Sequence, residues 1–158
     1  MGADAEKSAA ALANFTTEGN RQNIRITRGV KVIADCYNAS PESMAAALGV
    51  LKTGGGKRFA VLGDMLELGE HAKALHSNVG EKVPQSADVI ICVGEDARYI
   101  AESAADKGMP TENIYLYPSK SYEKAAELLL SLLSEGDTVL FKASNRTNIR
   151  KVMENAQL

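Results

Sequence analysis

The sequence contains no apolar run approaching the roughly 20 residues of a membrane span, and residues 1–15 lack the basic start and long apolar stretch of a secretory signal. A soluble, cytoplasmic protein without a membrane span is the expectation. Positive charge is also in short supply: 18 Lys and Arg against 20 Asp and Glu give a formal net charge of -2. That leaves no basic stripe for a phosphate backbone or an anionic lipid surface, so nucleic acid is not an expected partner. There are only two cysteines, Cys36 and Cys92, each beside an apolar run, where a buried free thiol is a commoner outcome than a disulfide or a metal ligand.

Phosphate-binding loops are missing too. Gly54-Gly55-Gly56-Lys57-Arg58 precedes an apolar β-branched run, whereas a Walker loop follows a strand with GxxxxGK[ST] spacing; it reads as a turn. No GxGxxG follows the first strand candidate, which removes the main support for dinucleotide binding. His71 and His76 are five apart on an expected helix, hence about 140° apart round its axis, and read as surface or packing residues rather than a metal pair. No metal site is expected in this chain.

What is present suits one domain: 158 residues, 45% hydrophobic, with β-branched runs alternating with segments of helical period. That alternation is the signature of βαβ units wound into a mostly parallel sheet. Strands are expected at Val30–Ala34, Arg58–Leu62, Val89–Val93, Ile114–Tyr117 and Thr138–Lys142. Asn23–Thr27 alternates in period two and meets Gly29, which makes it an antiparallel hairpin partner of the first. Helices are expected from Ser40-Pro41 to Leu51, then over Glu70–Val83, Ala97–Lys107, Tyr122–Leu133 and Thr147–Asn155. The fold class is therefore α/β, a three-layer Rossmann-like domain with a six-stranded, mostly parallel sheet and one antiparallel edge. Ala5–Phe15 is helical in pattern but short and alanine-rich; residues 1–20 are expected to be a linker or the remnant of a preceding domain.

In such a sheet ligands bind at the carboxyl ends of the strands. Three loops there carry chemistry. Asp35-Cys36-Tyr37-Asn38-Ala39-Ser40-Pro41 offers a carboxylate for ribose hydroxyls, a ring to stack and an amide to pair, although a capping turn without a ligand has the same composition. Leu62–Glu70 brackets a hydrophobic patch and three acids with two glycines; it can receive a substrate amine or a metal-bound phosphate, or simply stabilise a helix dipole. Lys142-Ala143-Ser144-Asn145-Arg146 can hold a carboxylate or phosphate, or form a solvated basic turn.

Two of these stretches resemble a known family. Ala34–Met44, reading ADCYNASPESM, is similar to the D-x-Y-N-A-N/S-P-x-S-M motif of the Mur ligases in their tripeptide:D-alanyl-D-alanine branch, and Val61–Glu70, VLGDMLELGE, resembles the most specific motif of that branch, with His76 matching a histidine downstream. The likeness covers about residues 21–152. It implies that residues 21–158 are the third domain of an ATP-dependent ligase, partnered by N-terminal and central domains of the same protein.

By that resemblance the central domain holds ATP with magnesium, an acyl phosphate forms on UDP-N-acetylmuramoyl-tripeptide, and D-alanyl-D-alanine displaces the phosphate. The same likeness implies ATP-binding roles for Arg21, Asp35, Tyr37 and Asn38, and substrate-binding roles for Asp64, Glu67, Lys142, Ser144 and Asn145, with no catalytic residue in this domain. Ala143 stands where the family usually has glycine, so strain is expected if that position needs a positive φ. Ser40 replaces the commoner asparagine. The other reading is a stand-alone binding or regulatory module on a Rossmann-like or flavodoxin-like scaffold, a fold that hosts many functions.

Overall fold

A computed structural model of the chain describes residues 23–158. Among these, six strands form one sheet in the order β1-β2-β6-β3-β4-β5. β1 (Asn23–Thr27) runs antiparallel to β2 (Val30–Asp35) at one edge, while β3 (Arg58–Gly63), β4 (Val89–Val93), β5 (Ile114–Tyr117) and β6 (Thr138–Lys142) continue parallel to β2. The hairpin turn places Arg28 at φ 52 and Gly29 at φ 75, the two consecutive positive angles that match a tight turn to the twist of its strands. The expected strands are all found, and the sheet has the expected single antiparallel edge.

β3, β4 and β6 are buried almost throughout because both faces of the sheet are covered. On one face lie α1 (Pro41–Lys52), α2 (Ala72–Gly80) and α3 (Ala97–Asp106), packed through Met44, Leu48, Leu51, Val79 and Ile100 onto Ile33, Leu62, Ile90 and Leu140. On the other lie α4 (Tyr122–Leu132) and α5 (Arg150–Asn155), packed through Leu129, Val152 and Met153 onto Val32, Val61, Ile91 and Phe141. No helix among the described residues is long and apolar enough to cross a membrane.

Helix starts follow their local signals where a cap is present. Ser40 accepts from the Ser43 amide at 3.2 Å while Ser43 Oγ accepts from the Ser40 amide at 2.9 Å, a reciprocal cap, and Pro41 occupies the first turn. Two helices are shorter than the periodicity suggests. The segment from Glu70 opens as a 3-10 turn at Gly69–His71, and α2 occupies only Ala72–Gly80. The last helix begins at Arg150 rather than Thr147, because Asn148 is left-handed at φ 53 and ends a preceding 3-10 turn at Asn145–Thr147.

Candidate functional site

Strand order decides where a ligand can enter. The chain leaves β2 and β3 towards α1 and α2 on one face, but leaves β6 towards α5 on the other. Adjacent loops therefore splay apart at the carboxyl end of β6, which is the switch point where open α/β sheets bind ligands. A cleft of about 280 Å³ lies there, lined by Tyr37, Asn38, Leu66, Glu67, Ser144, Asn145 and Arg146. All three loops singled out in the sequence contribute to it. Tyr37 is 48% exposed.

Beneath the cleft Asp35 and Lys142, partners in register on β2 and β6, form an ion pair with Nζ 2.8 Å from Oδ2. Lys142 also donates to the Asn38 carbonyl at 2.9 Å and is only 1% exposed, whereas the Asp35 side chain keeps 16% of its surface open. The ammonium thus holds both the acid and the backbone of the first loop. Asn38 Oδ1 accepts from the Ala39 amide at 2.9 Å, which fixes the turn into α1. Cys36 packs behind this loop, and burial, with Asp35 adding to it, pushes its thiol up to about 12, so it supplies no thiolate. Cys92 is raised further by burial; both cysteines are free and buried, as their settings predict.

The second loop is held from three sides. His76 is fully buried and accepts from the Met65 amide through Nε2 at 2.9 Å; its Nδ1 therefore carries the proton and donates to the Ala72 carbonyl at 2.7 Å. Ser144 Oγ accepts from the Leu66 amide at 3.0 Å and the Ser144 amide donates to the Asp64 carbonyl at 3.1 Å, which stitches the second loop to the third. The Asp64 carboxylate accepts from the amides of Glu95, Asp96 and Ala97 at 3.2, 3.0 and 2.7 Å and so caps α3 from another loop. Glu67, left-handed at φ 67, is exposed and lies 3.8 Å from Arg146.

Ala143 is not in the left-handed region; it is buried, so the strain expected from its replacing glycine does not arise. Its Cβ instead fills the space beside Gly63, where a second Cβ would come within 2.8 Å. His71 is exposed, and His76 is a packing residue as expected. Arg21 lies outside the described residues, as does the segment Ala5–Phe15. Among the described residues no three His, Cys, Asp or Glu side chains converge as a metal site would require.

The sequence model of the family described as "Mur ligase, glutamate ligase domain" matches residues 20–145. The chain belongs to this family. Among relatives of this Mur ligase domain, the UDP-N-acetylmuramoyl-tripeptide--D-alanyl-D-alanine ligase of Bacillus subtilis is 32% identical over 154 residues, 95% of this chain and 33% of that protein. The enzyme of the same name from Synechocystis is 31% identical over 155 residues, 97% of this chain and 33% of its own length. The crystal structure of a MurF ligase from Thermotoga maritima in complex with ADP superposes with a TM-score of 0.77 at 34% identity, covering 92% of this chain and 32% of the other. A MurF from Acinetobacter baumannii gives a TM-score of 0.82 at 26% identity over 96% of this chain. The Mur ligase domain therefore spans about a third of the length of the curated relatives it matches.

Sequence reasoning assigned Tyr37 and Asn38 to ATP and Glu67, Ser144 and Asn145 to the substrate, on three separate loops; the structure brings these five residues to one cleft. The same reasoning missed that Asp35 and Lys142 would satisfy each other, and it named Arg146 in the third loop without placing it on the site. Only the pairing of β2 with β6 brings residues 107 apart into contact, and no local pattern carries that information.

Proposed function

We infer that this chain serves as the C-terminal domain of an ATP-dependent ligase that adds D-alanyl-D-alanine to UDP-N-acetylmuramoyl-tripeptide in cytoplasmic cell-wall precursor synthesis. The observation that carries the reading is the convergence of both family motifs on one cleft at the switch point of the sheet, through Tyr37 and Asn38 from the first and Leu66 and Glu67 from the second. Relatives bearing that ligase name match 95% or more of the chain, which supports the same assignment.

The residues present fit a nucleotide. Half-exposed Tyr37 offers a ring on which adenine can stack, Asn38 an amide beside it, and Asp35 an acceptor for ribose hydroxyls. Lys142 then acts by holding Asp35 and the Asn38 carbonyl in place rather than by meeting the dipeptide. Ser144 keeps the second and third loops together, so that Glu67 and Asn145 face one cleft. Asp64 serves this arrangement as a cap. ATP would supply the phosphoryl group that activates the acceptor carboxylate, and magnesium would be held mainly outside these residues.

At about 280 Å³ the cleft is near the lower end of ligand sites, which run from roughly 300 to 1,000 Å³, so it holds part of a nucleotide only. The remaining contacts would come from a central domain, with residues 1–20 as the connection to it. An isolated domain of this kind binds weakly, because each face supplies a fraction of the contacts. The test is an NMR titration of the chain with Mg-ADP up to about 10 mM. Shifts concentrated between Asp35 and Ser40 are expected, with no ATP hydrolysis. Absence of shifts there, or turnover abolished by Asp35→Ala, would overturn the reading.

A further inference from the structure

His76, on α2, is fully buried, although an apolar side chain would fill the same space without loss of hydration. Both of its ring nitrogens are bonded to backbone: Nδ1 to the Ala72 carbonyl in the first turn of the same helix, and Nε2 to the Met65 amide eleven residues upstream. The Met65 amide can only donate and the Ala72 carbonyl can only accept, so one tautomer satisfies both, with the proton on Nδ1. An imidazole packed for its volume alone needs neither bond.

The segment that this ring closes carries one lip of the cleft. Met65 is buried and does not line it, but the next two residues, Leu66 and Glu67, do. The stretch from Asp64 to Leu68 belongs to no helix or strand, and Glu67 within it is left-handed at φ 67. Two consecutive amides are instead held by side chains from other elements, Met65 by His76 on α2 and Leu66 by Ser144 after β6. The two holds have different footings. Ser144 ties the lip to the third loop, which itself lines the cleft. His76 ties it to α2, which is seated on the sheet through Val79 and lies so close to α3 that a Cβ at Gly80 would run into the Ile100 carbonyl.

We propose that His76 is a positioning residue for nucleotide binding: it touches no ligand, and by holding the Met65 amide it keeps Leu66 and Glu67 on the cleft that Tyr37 and Asn38 line from the other side. The proposal rests on the ligase reading, which puts the nucleotide in that cleft. It gives the two ring nitrogens separate roles. The Nε2 bond sets the lip, and the Nδ1 bond fixes the tautomer that leaves Nε2 free to accept.

Two substitutions divide the ring's contacts. The amide oxygen of His76→Gln reaches about as far as Nε2 and can accept from Met65, whereas His76→Asn ends near Nδ1 and leaves the Met65 amide without a partner. With Mg-ADP followed through the Tyr37 and Asn38 amide signals, His76→Gln is expected to bind within about twofold of the unmodified chain and His76→Asn about fivefold more weakly. In the unmodified chain the ring-nitrogen chemical shifts should show a protonated Nδ1 and a bare Nε2. Saturating Mg-ADP should also slow hydrogen exchange at the Met65 amide, because a ligand that binds the held lip opposes its release.

The proposal is overturned if His76→Asn binds Mg-ADP as well as His76→Gln does, or if the ring carries its proton on Nε2. It also falls if Mg-ADP binds and the Met65 amide exchanges at the same rate with and without it; that measurement uses no variant, so it decides the matter where His76→Asn fails to fold. Each of these failures leaves the ligase reading standing, because Mg-ADP still shifts Tyr37 and Asn38. Absence of those shifts in the unmodified chain would remove both.

Discussion

Lys142 on β6 lies beside Asp35 on β2 as its partner in register, and its ammonium is 2.8 Å from the carboxylate and almost wholly buried. Each charge makes the other tolerable, because an unpaired ion at this depth loses its hydration without compensation. Lys142→Met is therefore expected to destabilise the domain by about 3 kcal/mol, since it strands Asp35 and the Asn38 carbonyl together. Asp35→Asn combined with Lys142→Met should recover a large part of that loss. Urea unfolding of the two variants checks this; equal stabilities for Lys142→Met and the unmodified chain would show that the pair does not hold the loop.

At the opposite end of the sheet Arg58 donates twice to Asp88, from Nε at 2.9 Å and Nη2 at 2.7 Å, and the Arg58 amide donates to the same carboxylate at 2.8 Å. The side-chain bond from Arg58 holds the Asp88 carboxyl below its usual range. A depressed value in the folded state means that the contribution is complete above the unfolded pKa of about 3.9 and is lost as pH falls through the folded one. With 38% of the Asp88 side chain exposed, solvent screens the pair, and Asp88→Asn should cost only about 1 kcal/mol at pH 7. The difference between variant and unmodified chain should shrink below about pH 4. Urea melts at pH 7 and pH 3 test the sign; a constant difference would exclude the carboxylate as its source.

The legible and illegible parts of this molecule divide along a physical line. β4 and β6 fall where continuous apolar, β-branched runs put them, because a strand buried on both faces has no solvent side on which to place polar residues. The loops that carry the site are legible for a related reason: in a parallel sheet the strand ends are the only places where polar chemistry can gather. The starts of α2 and α5 are not, since the 3-10 turn at Gly69–His71 and left-handed Asn148 are local choices that periodicity cannot register. Lys142 and Asp64 looked available for a ligand in sequence, yet each is occupied by groups brought to it from distant segments.

The Asp64 cap depends on Gly94. Gly94 sits at φ +148, and a Cβ there would run into the Asp64 carboxylate. Gly94→Ala is therefore expected to cost about 2 kcal/mol through backbone strain and loss of the cap. Hydrogen exchange should quicken at Glu95, Asp96 and Ala97, whose amides the carboxylate receives. Asp64→Asn retains the shape but not the charge at the end of α3, so it should quicken the same amides with a smaller loss of stability, about 1 kcal/mol. The two variants together decide what Asp64 is for. If Asp64→Asn left these amides unchanged while weakening D-alanyl-D-alanine, the carboxylate would belong to the ligand, as its motif first suggested, and the cap would be incidental.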